Sequence, residues 1–291
     1  MTALCWSWTA VFFTLAGKRI GHLSVNLLRL SGAILLLFMA AKLMIAGPIA
    51  SWYVGGNVYY IILSGVIGLA IGDHALFGAM IKFGPRRATL IMACVPIITS
   101  LLALVFLGEH LALIAWVGIV TTVFGVGWVV IEREAGDVST GSVRRDELRQ
   151  GVVLGLIAAG CQAVGLILAK SGMGESVSPL AATLLRMIAG WAGILLTVVV
   201  RKEFGAVRKA FSDRTAMALV GAGTIVGPFL GVWLSLVSVR WAETGIAATL
   251  MGLTPLIVIP WAHIVFKEKI TARVLIGTFV AVLGTALIFM R

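Results

Sequence analysis

"EREAGDVSTGSVRRDELRQ", Glu132 to Gln150, is the most polar stretch of the chain. Its charges, glycines and serines read as a solvated linker, residues 132–150. The sequence on either side is apolar. Hydrophobic residues make up 60% of the 291, charged residues only 12%, and the mean hydropathy is +1.08. A soluble domain carries about 25% charged residues, and half that share cannot cover a water-facing surface of this size. The composition therefore predicts an all-α membrane protein that crosses the bilayer repeatedly.

Apolar runs place ten candidate helices near 1–17, 25–42, 59–81, 87–107, 111–131, 151–169, 179–200, 215–239, 245–266 and 272–290. Most are close to the roughly 20 residues that span the hydrocarbon layer. The first run, "MTALCWSWTAVFFTLAG", lacks the basic start of a signal peptide. It is short for a span, so either the first helix is short or residues precede it.

The linker divides the ten helices five and five. Five is odd, so two similar halves, 1–131 and 151–291, must lie in the membrane with opposite orientations. A spacing of 159 aligns Met92 with Met251, Pro96 with Pro255, Glu109 with Glu268, Gly118 with Gly277 and Gly125 with Gly284. For the third and eighth helices a spacing of 155 aligns Gly68 with Gly223 and Gly72 with Gly227. Arg29 and Arg186 recur in "LLRLSGAILLL" and "LLRMIAGWAGILL". Two inverted five-helix repeats are the expected architecture, with a substrate site between them near the midplane.

The net charge of +11 does not point to nucleic acid, because no basic stripe with interleaved aromatics is present. The cations cluster in loops. Loops after odd-numbered helices hold 17 Lys or Arg, against 4 in the even-numbered loops and the C-terminus. Positive loops stay in the cytoplasm, which predicts that both termini face outward. Cys5, Cys94 and Cys161 lie far apart in apolar runs, so neither a metal nor any other cofactor is expected.

The chain resembles the EamA-domain family of the drug/metabolite transporter superfamily along essentially its whole length. The resemblance rests on Trp6 and Lys18, on Arg29, on "IGDHALF" at 71–77 and on "PIITSLLALVFLGEHL" at 96–111. It continues with the glycines of the fifth helix, Lys170, Arg186, "TPLIVIPWAHIVFKEK" at 254–269 and Gly277. It implies a transporter of small metabolites or drugs, without naming a cargo. The chain departs from the family in a late-starting first helix, a longer loop after Lys170, and Lys267 before Glu268.

Asp73 and His74 stand more than ten residues into an apolar run, where ionisable groups face the protein interior or an aqueous path. Asp73 is read as a coupling or substrate-binding group, or as half of an ion pair with Arg29. By the 155 spacing its surroundings match Pro228, so the acid is not duplicated. Arg29 and Arg186 either snorkel to the interface or hold an anionic group inside. Pro96 and Pro255 are expected to kink their helices and free the carbonyls of Met92 and Met251, which suits a gated cavity or plain bending. Gly68, Gly72, Gly223 and Gly227, with Ser64 and Gly231, form four-spaced stripes for close helix packing. Glu109 and Glu268 are expected to favour the starts of the fifth and tenth helices through the helix dipole.

The expected function is secondary transport, export in particular, of a small-molecule substrate across a bacterial cytoplasmic membrane by alternating access, with protons as the candidate coupling ion. A lipid-linked flippase component or a non-transporting subunit is the alternative. An enzyme is disfavoured, since no HExxH, GxSxG, phosphate loop or catalytic carboxylate pair is present.

Overall fold

The computed structural model describes residues 1–83, 88, 91–135, 145–254, 256–257 and 271–289. Among these residues every regular element is helical. The first half runs α1 (Thr2–Ile20), α2 (His22–Met44), α3 (Val58–Gly65), a π segment (Val66–Gly72), α4 (Asp73–Phe83), α5 (Val95–Leu107) and α6 (Leu113–Ala135). The second runs α7 (Arg145–Met173), α8 (Pro179–Val200), a short α9 (Phe204–Ala210), α10 (Arg214–Thr224), a π segment (Ile225–Gly231), α11 (Val232–Trp241), α12 (Thr244–Met251) and α13 (Ala272–Phe289).

Among the described residues, five stretches are long and apolar enough to cross a membrane: His22–Met44, Val58–Ala79, Asp146–Met173, Pro179–Val200 and Arg214–Trp241. Three more are apolar but shorter: Val95–Leu107, Leu113–Trp128 and Ala272–Ile288. α6 and α7 run into the polar linker further than its composition suggested, to Ala135 and from Arg145. A helix outside the bilayer needs no apolar side chains, and Asp146 and Glu147 in the first turn of α7 complement its dipole.

The compact units do not follow the two sequence halves. Residues 1–71 with 168–240 form one unit, and 72–167 with 241–291 form the other. Each therefore combines helices from both halves. In the first unit Leu30, Leu37, Ile61, Met173, Met187, Ile194 and Leu236 build the core. α3 and its π segment lie along α8 in parallel. A methyl added at Gly65 would meet the Arg186 backbone, and one at Gly190 would come within 2.8 Å of the Leu69 Cβ. α1 lies antiparallel to α10 and the second π segment, with Phe13 against Gly223 and Thr9 against Gly227.

In the second unit α6 and α13 cross antiparallel with their backbones in contact. A methyl at Gly118 would stand 2.7 Å from the Gly284 carbonyl, and one at Gly125 would stand 2.7 Å from that of Gly277. The paired glycines of the sequence repeat thus meet one another crosswise, as across a local two-fold. Bilayer lipid offers no hydrophobic drive for helix association, so small residues that admit close van der Waals packing carry this contact. α5 and α12 also run antiparallel, with Ser100 against Gly245 and Pro96 against Gly252.

Candidate functional site

Two kinds of helix interruption recur, and both repeat at one spacing. The π segments begin at Val66 and Ile225 and end at Gly72 and Gly231, a separation of 159 at both ends. Their sequences are VIGLAIG and IVGPFLG. Single π turns inside α-helices are frequent at functional sites. The spacing of 155 for these helices is thereby corrected. Gly68 matches Gly227, Gly72 matches Gly231, and Asp73 matches Val232, not Pro228. Small residues recur every fourth position here, so identity alone does not reveal a slip of one turn.

The second interruption is a break in the helix. The Cys94 amide donates to the Ile91 carbonyl at 3.0 Å, and the Ile98 amide to Cys94 at 3.2 Å. In the other half the Leu253 amide donates to Leu250 at 3.4 Å, and that of Ile257 to Leu253 at 3.3 Å. All three positions, Ile91, Cys94 and Ile98, correspond at 159 to Leu250, Leu253 and Ile257. The kink expected at Pro96 is instead a break, with Pro96 in the first turn of α5. There its missing N–H costs nothing, since first-turn amides have no helical acceptor. Pro255 lies outside the described residues.

Met92 and Met251 occupy the last helical turn before each break, both half-buried. Beside them a cavity of about 10 Å³ is lined by Ala93, Pro96, Thr122, Val123, Val126, Thr249 and Gly252. That volume is about enough for one water, so any larger molecule requires these helix ends to move.

Asp73 opens α4 directly after the first π segment, with His74 next to it, and both side chains are half-buried. Gly68 and Gly72 are buried. Gly223 and Gly227 face Phe13 and Thr9 of α1. In α3 it is Gly65, which the sequence reading passed over, that a backbone approaches most closely.

Arg29 and Arg186 are 6% and 2% exposed, so neither snorkels toward the interface. The Arg29 Nε donates to Asn26 Oδ1 at 2.6 Å, and its guanidinium carbon lies 5.4 Å from the Phe13 ring centroid. Asn26, three residues before Arg29, was the signal for this arrangement. Arg29 and Arg186 belong to the first unit and Asp73 to the second.

Glu109, just before α6, also reaches the start of a helix distant in sequence. Its carboxylate accepts from the Thr244 amide at 2.6 Å and from the Thr244 hydroxyl at 2.7 Å. It therefore satisfies the first turn of α12, which packs beside it in the fold. Glu268 lies outside the described residues. Arg240, also unremarked in the sequence, donates to the carbonyls of Gly174 at 2.6 Å and Val177 at 3.2 Å, and to that of Glu175. It thereby fixes the turn after α7. Among the described residues no group of His, Cys, Asp and Glu could hold a metal ion.

Long apolar helices packed through glycine-mediated contacts define an integral membrane protein. The model of the EamA-like transporter family matches residues 1–131 and 149–290, and the chain belongs to that family. A solved structure titled "Crystal structure of protein" has the same fold, with a TM-score of 0.77 at 15% identity, over 99% of this chain and 95% of the other. A search of curated proteins found no match.

Proposed function

We propose that the protein is a secondary transporter, working as an exporter, that moves small metabolites or drugs by alternating access. The observation that carries this is the pair of interruptions, π segment and helix break, repeated at 159 residues. Interrupted helices leave backbone groups free of the α-helical ladder, and transporters use such places to bind substrate and to bend.

The senses of the helix pairs add support. Candidate helices one and eight, four and nine, and five and ten run antiparallel, whereas three and seven run parallel. Those are the directions of a chain in which each apolar helix reverses the one before it. Ten crossings as two inverted repeats of 1–131 and 151–291, joined by 132–150, are the reading we adopt. In it the odd-numbered loops face the cytoplasm of a bacterium.

In this scheme Asp73 and His74 line the pathway beside the first π segment, and Asp73 takes up and releases the coupling proton or holds a cationic part of the substrate. Arg29 and Arg186 attract an anionic part. Met92 and Met251, on the turns before Pro96 and Pro255, provide adaptable apolar walls. The test is flux of a panel of amino acids, sugars and cationic drugs in liposomes holding the purified protein, with and without a proton gradient. Gradient-dependent movement of at least one class is expected. No flux of any class, with folded protein present, would favour the flippase-component or subunit alternative.

A further inference from the structure

The loop between Pro179–Val200 and Arg214–Trp241 joins two helices long and apolar enough to cross the bilayer, which puts it at the membrane surface. It carries α9, whose Val207 and Ala210 are buried while Arg208 and Lys209 are exposed. At its two ends Phe204 and Phe211 are 51% and 58% exposed. In water such aromatics are costly; at headgroup depth an apolar side chain beside basic ones is what an interfacial helix presents.

The charge is one-sided. This loop together with the end of α1 holds seven Lys or Arg, from Lys18 to Arg214, against the two carboxylates Glu203 and Asp213. Asp213 is already engaged. Its Oδ2 accepts from Arg19 Nε at 2.7 Å, its Oδ1 caps the Ala216 amide at 2.9 Å, and the Arg19 bond holds its pKa below the usual carboxylate value. Between them opens a cleft of about 610 Å³ lined by Arg19, Lys209, Ser212, Asp213 and Arg214 among others. Among the described residues neither Lys209 nor Arg214 forms an ion pair.

We propose that this cleft binds the headgroup phosphate of an anionic phospholipid, with Lys209 and Arg214 on the phosphate and Phe204 and Phe211 among the acyl chains. A soluble phosphate would gain nothing from the two exposed aromatics, whereas a lipid satisfies both features. None of the cleft's lining residues is among the proposed pathway residues, so its lipid would act on stability or rate and not as cargo.

The test is native mass spectrometry of the purified full chain in detergent, titrated with phosphatidylglycerol or phosphatidylcholine. Wild-type protein should retain phosphatidylglycerol preferentially. Each basic side chain is worth about five-fold at an anionic surface, so Lys209→Gln with Arg214→Gln should weaken retention roughly 30-fold. Phe204→Ser should weaken it with every charge intact. Equal retention of the two lipids by the wild type would overturn the proposal, whether or not the variants fold. Displacement of the lipid by soluble glycerol phosphate at matched concentration would overturn it too, reassigning the cleft to a free anion.

Discussion

The two π segments occupy equivalent places in the two halves, yet few of their side chains agree. Val66–Gly72 contains no proline and leads into Asp73 and His74, whereas Ile225–Gly231 contains Pro228 and leads into Val232 and Trp233. The irregularity therefore does not depend on proline. What the segments share is glycine, at Gly68 and Gly227 and at Gly72 and Gly231. The second lies so close to α1 that a methyl at Gly227 would come within 2.6 Å of the Thr9 side chain. The backbone irregularity recurs in both halves, while an acid and a histidine follow only the first segment.

The sharpest way to break this comparison is to remove the asymmetry. Asp73→Asn keeps the shape of the side chain and deletes its charge, making the first segment as uncharged as its counterpart. Proton-driven flux in liposomes should fall to background while the protein inserts and stays monodisperse in detergent. Loss of folded protein, recovered by neutralising an intramembrane arginine as well, would reassign Asp73 to a structural ion pair. Undiminished transport would remove the acid from the mechanism altogether.

The architectural side of the comparison predicts a stability effect of about 1–3 kcal/mol for Gly227→Leu, the usual cost of overfilling a packed contact. Thr9 cannot easily retreat, because its hydroxyl donates to the Cys5 carbonyl at 2.7 Å. Gly17→Ala, inside α1 and with nothing within 4 Å of the added carbon, should instead stabilise by about 0.5–1 kcal/mol, the usual gain of Ala over Gly in a helix. Thermal unfolding in detergent separates the two, and equal melting temperatures would contradict the close approach.

A smaller effect is expected from Glu109→Gln, which weakens the cap on α12. Caps are worth about 0.5–2 kcal/mol, and Gln still accepts one hydrogen bond, so the loss should fall at the lower end. Thr244→Val on top of it should cost little more if the two residues act as one unit, and a fully additive double variant would argue against the pairing.

The smallest effect concerns pH. Asp213 has its pKa lowered by the Arg19 hydrogen bond, so its contribution to stability is present above the unfolded value of about 3.9. That contribution is lost as pH falls through the lower, folded value. Asp213→Asn should therefore narrow the difference in melting temperature between pH 6 and the acid range, below about pH 4. An unchanged profile would show that the ion pair is energetically silent, as many exposed pairs are.

Much of this was legible in the sequence for definite physical reasons. A chain with 12% charged residues has no choice but the bilayer, and helices must follow, since lipid cannot satisfy open backbone groups. Pro and Glu are rare in such sequence, so their recurrence at 159 revealed the repeat. Glycine is common, and for that reason the register of the third and eighth helices slipped by one turn. The breaks were signalled by Pro96, but whether a proline bends a helix or starts a new one depends on what satisfies the freed carbonyls.

The sequence by itself determined the membrane, the helices, the duplication and the identity of the few intramembrane ions. Tertiary structure alone decided which helices share a unit, because that depends on which small-residue faces find each other across the two halves. It also decided that Glu109 caps α12, a contact between residues 135 positions apart. Local sequence records what a residue can offer. Only packing brings a partner within the few ångströms at which the offer counts.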